Sequence, residues 1–463
     1  MEIPAGFLSE MEKSLGEEYG AFLKSLGDEE VKALRINPLK GFKGFDEELI
    51  KKWCLEPVSW EENGFFYRAG QCEMPPGKHP LHEAGAYYIQ EPSAMYPVSL
   101  LEPKEKEKVL DLCAAPGGKS TQIALHMKNT GLLISNEIIL QRALVLSQNI
   151  ERMGVKNAVV TSMEPERLAS FFSAFFDKVL VDAPCSGEGM MRRGDAAREN
   201  WSMENVNMCA ARQHDILNEA AKCLKPGGRL VYSTCTFSEE EDEKNVERFL
   251  REHTDYELLS REKLYPHKIR GEGHFAAVFL RKGSSGTEPE GSISAFNNAG
   301  KSPKTSRGKR KGAENGSGAY IKLATGFLKD FLSDEADISF SPERMGEFKE
   351  SVYLYPEGIP DIRGMKVIRP GLRLGTVKKG RFEPDHCLAM SLKPEDVKKS
   401  YNISSESPVA ADYLKGMTIN LTEDEDKAGP DGWYLITVDN ISIGLGKKTG
   451  GIIKNHYPKG LRR

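Results

Sequence analysis

Six short apolar runs recur between residues 108 and 282, and each has the length of a buried strand. Stretches with helix-like patterns separate them. Strands that alternate with helical spacers predict a largely parallel α/β sheet covered on both faces. The runs are KVLDLC (108–113), LLISNE (132–137), NAVVTS (157–162), KVLVDA (178–183), GRLVYSTC (228–235) and HFAAVFLRK (274–282).

The flanking regions have different patterns. Residues 1–100 mix a helical beginning with short strand-like segments and predict an α+β cap before the sheet domain of residues 101–282. Residues 283–318 are rich in Gly, Ser, Pro, Asn and charge without a hydrophobic period, which predicts a flexible linker that divides the protein into two parts. Residues 319–463 begin with a helical stretch and continue with short β-branched and aromatic runs, typical of a small β-rich domain.

Composition adds limits to this picture. The 463 residues carry 64 Lys and Arg against 68 Asp and Glu, so the mean charge does not indicate a nucleic-acid-binding protein. No stretch approaches the roughly 18 apolar residues that span a bilayer, and the N-terminus lacks the apolar segment of a signal peptide. We therefore expect a cytoplasmic monomer without a membrane partner. The eight cysteines include no CxxC pair, so we expect reduced thiols and no metal site.

A glycine-rich turn follows the first predicted strand in DLCAAPGGKSTQIALHM, where Gly117 and Gly118 precede a helix. Such a turn at a helix N-terminus favours a nucleotide-like ligand. The P-loop pattern fails because Cys113 occupies the position of its first glycine, and GxGxxG is absent. S-adenosylmethionine remains, because Glu137 ends the next strand and can bind ribose hydroxyls. A solvated strand-end carboxylate is the alternative interpretation of Glu137.

Two further cysteines lie at predicted strand ends, Cys185 in VDAPCSGEG and Cys235 in YSTCTF. Ligands of an open parallel sheet bind beyond the carboxyl ends of the strands, so both thiols are predicted to meet Cys113 and Glu137 at one crevice. A single strand-end cysteine is commonly a small buried apolar residue. Two of them beside a methyl donor indicate nucleophilic chemistry, and Lys119 is the nearest cation that can favour a thiolate.

These motifs carry a resemblance to a known family. DLCAAPGGKST, VDAPCSGEG and YSTCTFSEEEDEKNVERFL resemble the S-adenosylmethionine-binding loop and the two cysteine motifs of the RsmB/NOP family of RNA cytosine-5 methyltransferases. YYIQEPSAM and YPHKIRGEGHFAAVF resemble the family's N-terminal region and closing motif. RPGLRLGTVKKGRFEPDHCLAMSL and NHYPKGLRR are similar to the C-terminal PUA-like module of the bacterial RsmF/YebU subfamily, which methylates 16S ribosomal RNA. The resemblance covers almost the whole chain.

The resemblance implies a Rossmann-like methyltransferase sheet with an N-terminal RNA-binding α+β cap and a C-terminal β-rich PUA-like RNA-binding domain. It also implies S-adenosyl-L-methionine as cofactor, and 16S ribosomal RNA or the small ribosomal subunit as partner. Cytosine C5 is a weak nucleophile, so a thiolate first adds to C6. By position, Cys235 would attack, Cys185 would help release the product, Asp182 would hydrogen-bond the cytosine ring, and Lys119 would hold the base.

The resemblance places eleven residues around the cofactor. One departure is the third acidic position, which is usually Asp in the family, whereas SMEPER supplies Glu164; a loop carboxylate is the alternative interpretation there. The implied cofactor residues are Cys113, Ala114, Ala115, Pro116, Gly117, Gly118, Lys119, Glu137, Arg142, Glu164 and Asp182.

Basic residues cluster despite the acidic mean charge, and each phosphate contact favours RNA binding by releasing counterions. The cluster in the linker is equally explained as a solubilising run. Phe382, His456 and Tyr457 lie near the other clusters and can stack on exposed bases. The clusters comprise Lys301, Lys304, Arg307, Lys309, Arg310 and Lys311, then Arg363, Lys366, Arg369, Arg373, Lys378, Lys379 and Arg381, and finally Lys447, Lys448, Lys454, Lys459, Arg462 and Arg463.

The leading hypothesis is therefore a 5-methylcytosine methyltransferase of 16S ribosomal RNA. The same chemistry on transfer RNA is one alternative, because the motifs do not encode the target. A non-catalytic RNA-binding ribosome-assembly factor with a decayed cofactor site is the other. The second alternative loses support because both cysteine motifs are intact.

Overall fold

The computed structural model describes residues 3–462 except 46, 69, 71–73, 194, 284–317, 337–339, 349 and 428. The predicted linker and its basic cluster thus lie almost wholly outside the described residues, as does Arg463. Among the described helices, none combines the length and the apolar character needed to cross a membrane.

The N-terminal region is an antiparallel sheet with short helices around it. The elements are α1 (Ala5–Leu15), α2 (Tyr19–Ser25), β1 (Lys32–Ile36), α3 (Glu47–Trp53), β2 (Glu56–Pro57), β3 (Gly64–Tyr67), α4 (Pro80–Glu83), β4 (Tyr87–Ile89) and α5 (Tyr96–Leu101). The strands lie in the order β2–β3–β1–β4, and Leu34 of β1 pairs with Ile89 of β4.

The central sheet contains all six predicted runs as strands. Its elements are β5 (Lys108–Asp111), α6 (Gly118–His126), β6 (Leu132–Asn136), α7 (Leu140–Arg152), β7 (Ala158–Thr161), α8 (Pro165–Phe171), β8 (Phe176–Asp182), α9 (Asp195–Asn200), α10 (Met203–Cys223), β9 (Leu224–Thr234), α11 (Glu243–Glu252), β10 (Tyr256–Leu264) and β11 (His274–Arg281). Strands β9, β8, β5, β6 and β7 run parallel. Strand β11 extends the sheet antiparallel to β9, and β10 pairs antiparallel with β11 at the edge. The pattern missed β10 because that edge strand is largely exposed and polar.

Both faces of this sheet are buried, as predicted. Leu110 and Ile134 belong to one hydrophobic cluster, whereas their neighbours Val109 and Leu133 belong to another. Successive side chains of a strand point to opposite faces, so apolar residues at every position require cover on both sides. The α/β fold class is confirmed.

The C-terminal region forms two further sheets, in the orders β12–β13–β15–β16 and β17–β19–β20–β21–β18. A helix precedes them, as the pattern predicts. The elements are α12 (Ala319–Phe331), β12 (Met345–Phe348), β13 (Ser351–Leu354), β14 (Val367–Arg369), β15 (Leu372–Lys378), β16 (Arg381–Pro384), α13 (His386–Met390), β17 (Ser400–Ile403), α14 (Pro408–Leu414), β18 (Ile419–Asn420), α15 (Glu423–Lys427), β19 (Gly432–Val438), β20 (Ile441–Thr449) and β21 (Ile452–Asn455).

The C-terminal region packs closely against the regions that precede the predicted linker. Strand β14 pairs antiparallel with β7 and completes the central sheet. Leu34 and Tyr87 of the N-terminal sheet share one hydrophobic cluster with Ile436 and Ile443 of the last sheet. Removing residues 319–463 would therefore expose the apolar core of the N-terminal region to water.

A group of two carboxylates and one thiol lies where α7 meets α13. The Cys387 thiol donates to Glu151 Oε2 at 2.6 Å, and Asp385 completes the one group of described residues whose ligand atoms are close enough to hold a metal ion. Two guanidinium groups already neutralise these carboxylates, since Arg369 lies 3.7 Å from Glu151 and Arg373 lies 3.3 Å from Asp385. The group joins the C-terminal region to the central domain.

Candidate active site

The predicted site residues follow the ends of four adjacent parallel strands. Asp111 at the end of β5 pairs in register with Ser135 of β6, and Asp182 at the end of β8 pairs with Ser233 of β9. Because parallel strands end at the same edge, the segments after these strands meet in one crevice.

The turn after β5 depends on its glycines. Gly117 has a φ of +115°, a backbone conformation that residues with a side chain rarely adopt, and a Cβ there would lie 3.1 Å from Leu146 Cδ1. A Cβ on Gly118 would lie 3.3 Å from both Gln90 Cδ and Tyr88 Cε1. The loop is therefore pressed between α7 and the YYIQEPSAM segment, which places its backbone at the N-terminus of α6.

Helix α7 also holds this loop through side chains. Arg142 Nη2 donates to the carbonyl oxygen of Ala115 at 3.0 Å, and Asn149 Nδ2 donates to that of Pro116 at 2.9 Å. Arg142 Nη1 lies 3.3 Å from Glu137 Oε2. The turn and the acidic end of β6 are thus joined by one arginine that is itself half exposed.

Three carboxylates lie at this edge with different surroundings. Glu137 is 3% exposed, and its Oε1 accepts the backbone N–H of Ile139 at 2.9 Å. Asp111 is fully buried, its Oδ2 accepts from Ser120 Oγ at 2.6 Å, and its Oδ1 has no partner among the described residues. Burial raises the pKa of Asp111 to about 7. Glu164, in contrast, is exposed at the start of α8 and makes no capping bond.

Asp182 is surrounded by donors. Lys119 Nζ lies 2.8 Å from Oδ2, Ser233 Oγ donates to Oδ1 at 2.9 Å, and His274 Nε2 lies 3.4 Å from Oδ1. Burial works against the charged form, but Lys119 and His274 outweigh it and hold the pKa of Asp182 well below its ordinary range. Asp182 is therefore an anion at every physiological pH, and the Lys119 ammonium is paired with it rather than with a thiol.

The two predicted thiols are in contact. Cys185 Sγ and Cys235 Sγ are 3.0 Å apart, and the backbone N–H of Cys235 donates to Cys185 Sγ at 3.3 Å. Both cysteines are half-buried and free, since a disulfide bond is about 2.05 Å long. The contact with Cys235 and burial raise the pKa of Cys185. Cys185 is consequently a protonated thiol near neutral pH.

Most of the predicted site residues come together, and three more join them that the sequence pattern did not single out. The loop 113–119, Glu137, Arg142, Asp182 and the two thiols share the crevice, whereas the side chain of Glu164 lies exposed at the start of α8. Asp111 could have been found from its place at the strand end. Ser233 and His274 could not, because their contact with Asp182 depends on the pairing of β9 with β8 and of β11 with β9.

The structure corrects part of the predicted RNA-binding surface. Tyr457 and Lys448 are each 3% exposed and Arg369 is 4% exposed, so these three stabilise the fold and do not face RNA. Lys448 donates to the backbone carbonyl oxygens of Asp426 and Gly429, which explains its burial. The exposed basic residues of the two described clusters are Arg363, Lys366, Lys378, Lys379, Arg381, Lys447, Lys454, Lys459 and Arg462.

The crevice fits S-adenosylmethionine. The tight turn exposes backbone groups at a helix N-terminus, and the Glu137 carboxylate lies at the end of the next strand, joined to the turn through Arg142. Asp111 Oδ1, which has no partner in the part of the chain that the structure describes, offers an acceptor to a cationic or N–H group.

Comparison with known proteins supports this interpretation over the whole chain. Residues 98–280 match the model of 16S rRNA methyltransferase RsmB/F, and residues 3–92 match that of the N-terminal domain of 16S rRNA methyltransferase RsmF. Residues 327–392 match the first C-terminal domain of RsmF rRNA methyltransferase, and residues 400–463 match the methyltransferase RsmF PUA domain.

Curated relatives and solved structures agree. Ribosomal RNA small subunit methyltransferase F of Vibrio vulnificus is 34% identical over 93% of this chain and 91% of its own. The Vibrio cholerae protein of the same name is 31% identical over 100% and 98%. A methyltransferase homolog from Pyrococcus horikoshii is 26% identical with a TM-score of 0.51, covering 60% of this chain and 100% of its own. NSun6 from the same organism with SFG, at 22% identity and a TM-score of 0.53 over 61% and 99%, shares the fold. The chain therefore belongs to the ribosomal RNA small subunit methyltransferase F family of S-adenosylmethionine-dependent methyltransferases.

Proposed function

We propose that this protein methylates C5 of a cytosine in 16S ribosomal RNA, using a covalent adduct between Cys235 and C6 of the base. The observation that carries the proposal is the contact of two free thiols, 3.0 Å apart, at the edge of the sheet that also holds the cofactor crevice. Membership of the family supports ribosomal RNA as the substrate class.

The chemistry requires a nucleophile from the protein. Cys235 Sγ, as thiolate, adds to C6, and the electron pair of the C5–C6 double bond makes C5 nucleophilic. S-adenosylmethionine supplies the methyl group that C5 takes up. A base then removes the C5 proton, the double bond re-forms, and the Sγ–C6 bond breaks with its electron pair returning to sulfur.

Cys185 assists the last step in this proposal. Its pKa is raised, so it keeps its proton near neutral pH, and its sulfur lies 3.0 Å from that of Cys235. A thiol at that distance can hydrogen-bond to the departing thiolate and stabilise its charge. The roles of the two thiols therefore differ, because one must become an anion and the other must stay protonated.

Asp182 and Lys119 act on the target cytosine in this proposal. N3 takes up a proton from solvent as the thiolate adds and loses it again when the thiolate leaves. The anionic carboxylate of Asp182 can accept a hydrogen bond from that N3–H group. Lys119 keeps that carboxylate charged and oriented at 2.8 Å. Attack at C6 requires the base to leave its stack, so the target is a flipped or loop nucleotide.

The test is a map of modified cytosines. Bisulfite sequencing of 16S ribosomal RNA from cells with and without the protein should show one or more sites that depend on it, and Cys235→Ala should abolish them. If the sites persist in Cys235→Ala, the nucleophile is wrong. A dependent site in transfer RNA instead of 16S ribosomal RNA would overturn the substrate.

A further inference from the structure

The loops that carry the two thiols are joined by buried hydrogen bonds that the chemistry described above does not use. We call residues Ala183–Gly189 the Cys185 loop and residues Cys235–Asp242 the Cys235 loop. Each loop contributes one buried carboxylate, Glu188 from the first at 2% exposure and Glu241 from the second at 0%.

Glu188 starts in the Cys185 loop and binds the Cys235 loop. Its Oε2 accepts the Thr236 hydroxyl and the Phe237 backbone N–H, both at 2.9 Å. Its Oε1 accepts the indole N–H of Trp201 at 2.8 Å. Both oxygens are therefore committed to donors, and two of these donors belong to the residues that follow Cys235.

Glu241 makes the reverse connection. It starts in the Cys235 loop, and its Oε2 accepts the backbone N–H of Ser186 at 3.0 Å and the Gln213 amide at 2.7 Å. The same amide nitrogen of Gln213 donates to the carbonyl oxygen of Pro184 at 3.0 Å. Glu241 thus holds the peptide on one side of Cys185, and Gln213 holds the peptide on the other.

Direct bonds between the loops complete the network. Ser186 Oγ and Thr236 Oγ1 are 2.9 Å apart, and the backbone N–H of Gly189 donates to the carbonyl oxygen of Cys235 at 2.8 Å. Ser186 and Thr236 are the immediate chain neighbours of the two cysteines. A shift of either loop would break several of these bonds together.

Such an arrangement costs stability. Burial, together with the nearby charge of Glu188, raises the pKa of Glu241. Three hydrogen bonds, from the Ser186 backbone N–H, the Gln213 amide and the Thr236 hydroxyl, satisfy its carboxylate. Buried charged groups are often replaceable by apolar residues without loss of stability. A fully satisfied polar network instead specifies one arrangement of the groups around it.

We infer that Glu188 and Glu241 are positioning residues, a reciprocal clamp that sets the separation of the two thiols so that Cys185 reaches the sulfur leaving C6. The inference rests on the proposed covalent mechanism. Neither carboxylate needs to touch the RNA or the cofactor.

The experiment compares Glu241→Ala with Glu241→Gln in the full-length protein. Glu239→Ala is the matched control, because Glu239 belongs to the same acidic run and is exposed. A misplacement of about 1 Å can cost about 100-fold in rate, so we expect kcat of Glu241→Ala to fall by about 10- to 100-fold. KM for 16S ribosomal RNA and the Kd of S-adenosylmethionine should stay within about twofold, because these contacts lie elsewhere. The fraction of protein in a denaturation-resistant RNA adduct should rise, because release is slowed.

Glu241→Gln should recover most of the activity. Its carbonyl oxygen can accept from Ser186 and Gln213 as Oε2 does, and its amide can donate to Thr236 Oγ1. Loss of S-adenosylmethionine binding would show that Glu241→Ala does not fold. In that case a second pair of variants still tests the inference. Glu188→Gln places an amide N–H where Oε1 accepts the indole N–H of Trp201, so two donors face each other and kcat should fall. Adding Trp201→Phe removes the indole donor and should restore part of kcat.

The outcomes are separable. Wild-type kcat and adduct level in both Glu241→Ala and Glu188→Gln would overturn the clamp while leaving the proposed function standing. Equal losses in Glu241→Ala and Glu241→Gln, with unchanged cofactor binding, would also overturn it, because charge and not hydrogen-bond geometry would then matter. If the wild-type protein forms no 5-methylcytosine in 16S ribosomal RNA, the proposed function fails, and the clamp fails with it.

Discussion

The buried carboxyl of Asp111 leads us to predict that the free energy of unfolding falls as pH rises. This carboxyl is fully buried at the end of β5, and one of its oxygens has no partner among the residues that the structure describes. Burial raises its pKa to about 7. In the unfolded chain the pKa returns to the ordinary value of 3.8. The folded protein therefore binds a proton that the unfolded chain has lost, and stability falls as pH rises through the interval between these two values.

The size of the effect follows from the shift. Each pKa unit corresponds to about 1.4 kcal/mol, so a shift of about three units costs about 4 kcal/mol above pH 7, as an upper bound. Asp111→Asn keeps the shape and an acceptor for Ser120, but it cannot ionise. The variant should therefore be more stable than the wild-type protein at high pH, by about 2–4 kcal/mol at about pH 8, and by much less near pH 4.

The assay is urea unfolding of both proteins across about pH 5 to about pH 8, with and without S-adenosylmethionine. The control is Asp215→Asn, since Asp215 is exposed and should leave the difference flat. An advantage of Asp111→Asn that is the same at both ends of this range would refute the argument. We also expect weaker cofactor binding by the variant, because an ionisable residue retained at such cost is typical of a functional site.

Further predictions concern the thiols, the cofactor and RNA. Cys185→Ala should accumulate a covalent protein–RNA complex that survives denaturing electrophoresis, and a variant that forms no such complex would remove the release role. Glu137→Ala should weaken S-adenosylmethionine binding by about 10- to 100-fold in calorimetry, because hydrogen bonds to a charged group contribute about 1.5–3 kcal/mol. Substitution of the exposed residue in Glu164→Ala should leave Kd within about twofold. Equal effects of the two substitutions would contradict the assignment of Glu137, and not Glu164, to the cofactor. Lys454→Ala should flatten the salt dependence of RNA binding by about one charge, and buried Lys448→Ala should instead lower the melting temperature. A salt slope unchanged in Lys454→Ala would place RNA on another face.

Strand pattern and motif order determined the central sheet and most of the crevice. Parallel strands buried on both faces are continuous apolar runs, so KVLDLC, LLISNE and KVLVDA could be recognised without a structure. Parallel strands also end at one edge, so residues that follow them must be neighbours. That rule brought Glu137, Asp182 and the two cysteines together in prediction as they are in the structure.

Other features depended on packing between distant segments. Lys119 pairs with Asp182 and not with a thiol, Tyr457 is buried, and Glu164 is exposed, and no local pattern distinguishes these outcomes. The same is true of the Glu188 and Glu241 network. Carboxylates in a motif have the same appearance in sequence whether they face water or a neighbouring loop.

The sequence by itself determined the strands of the central sheet other than β10 and the edge of that sheet at which the candidate site residues lie. The tertiary structure decided the partners of each side chain and the packing of the N-terminal region against the C-terminal region in one shared hydrophobic cluster. The physical reason is that periodicity reports which face of an element is apolar, whereas a side chain's partner is chosen when elements remote in sequence pack against each other.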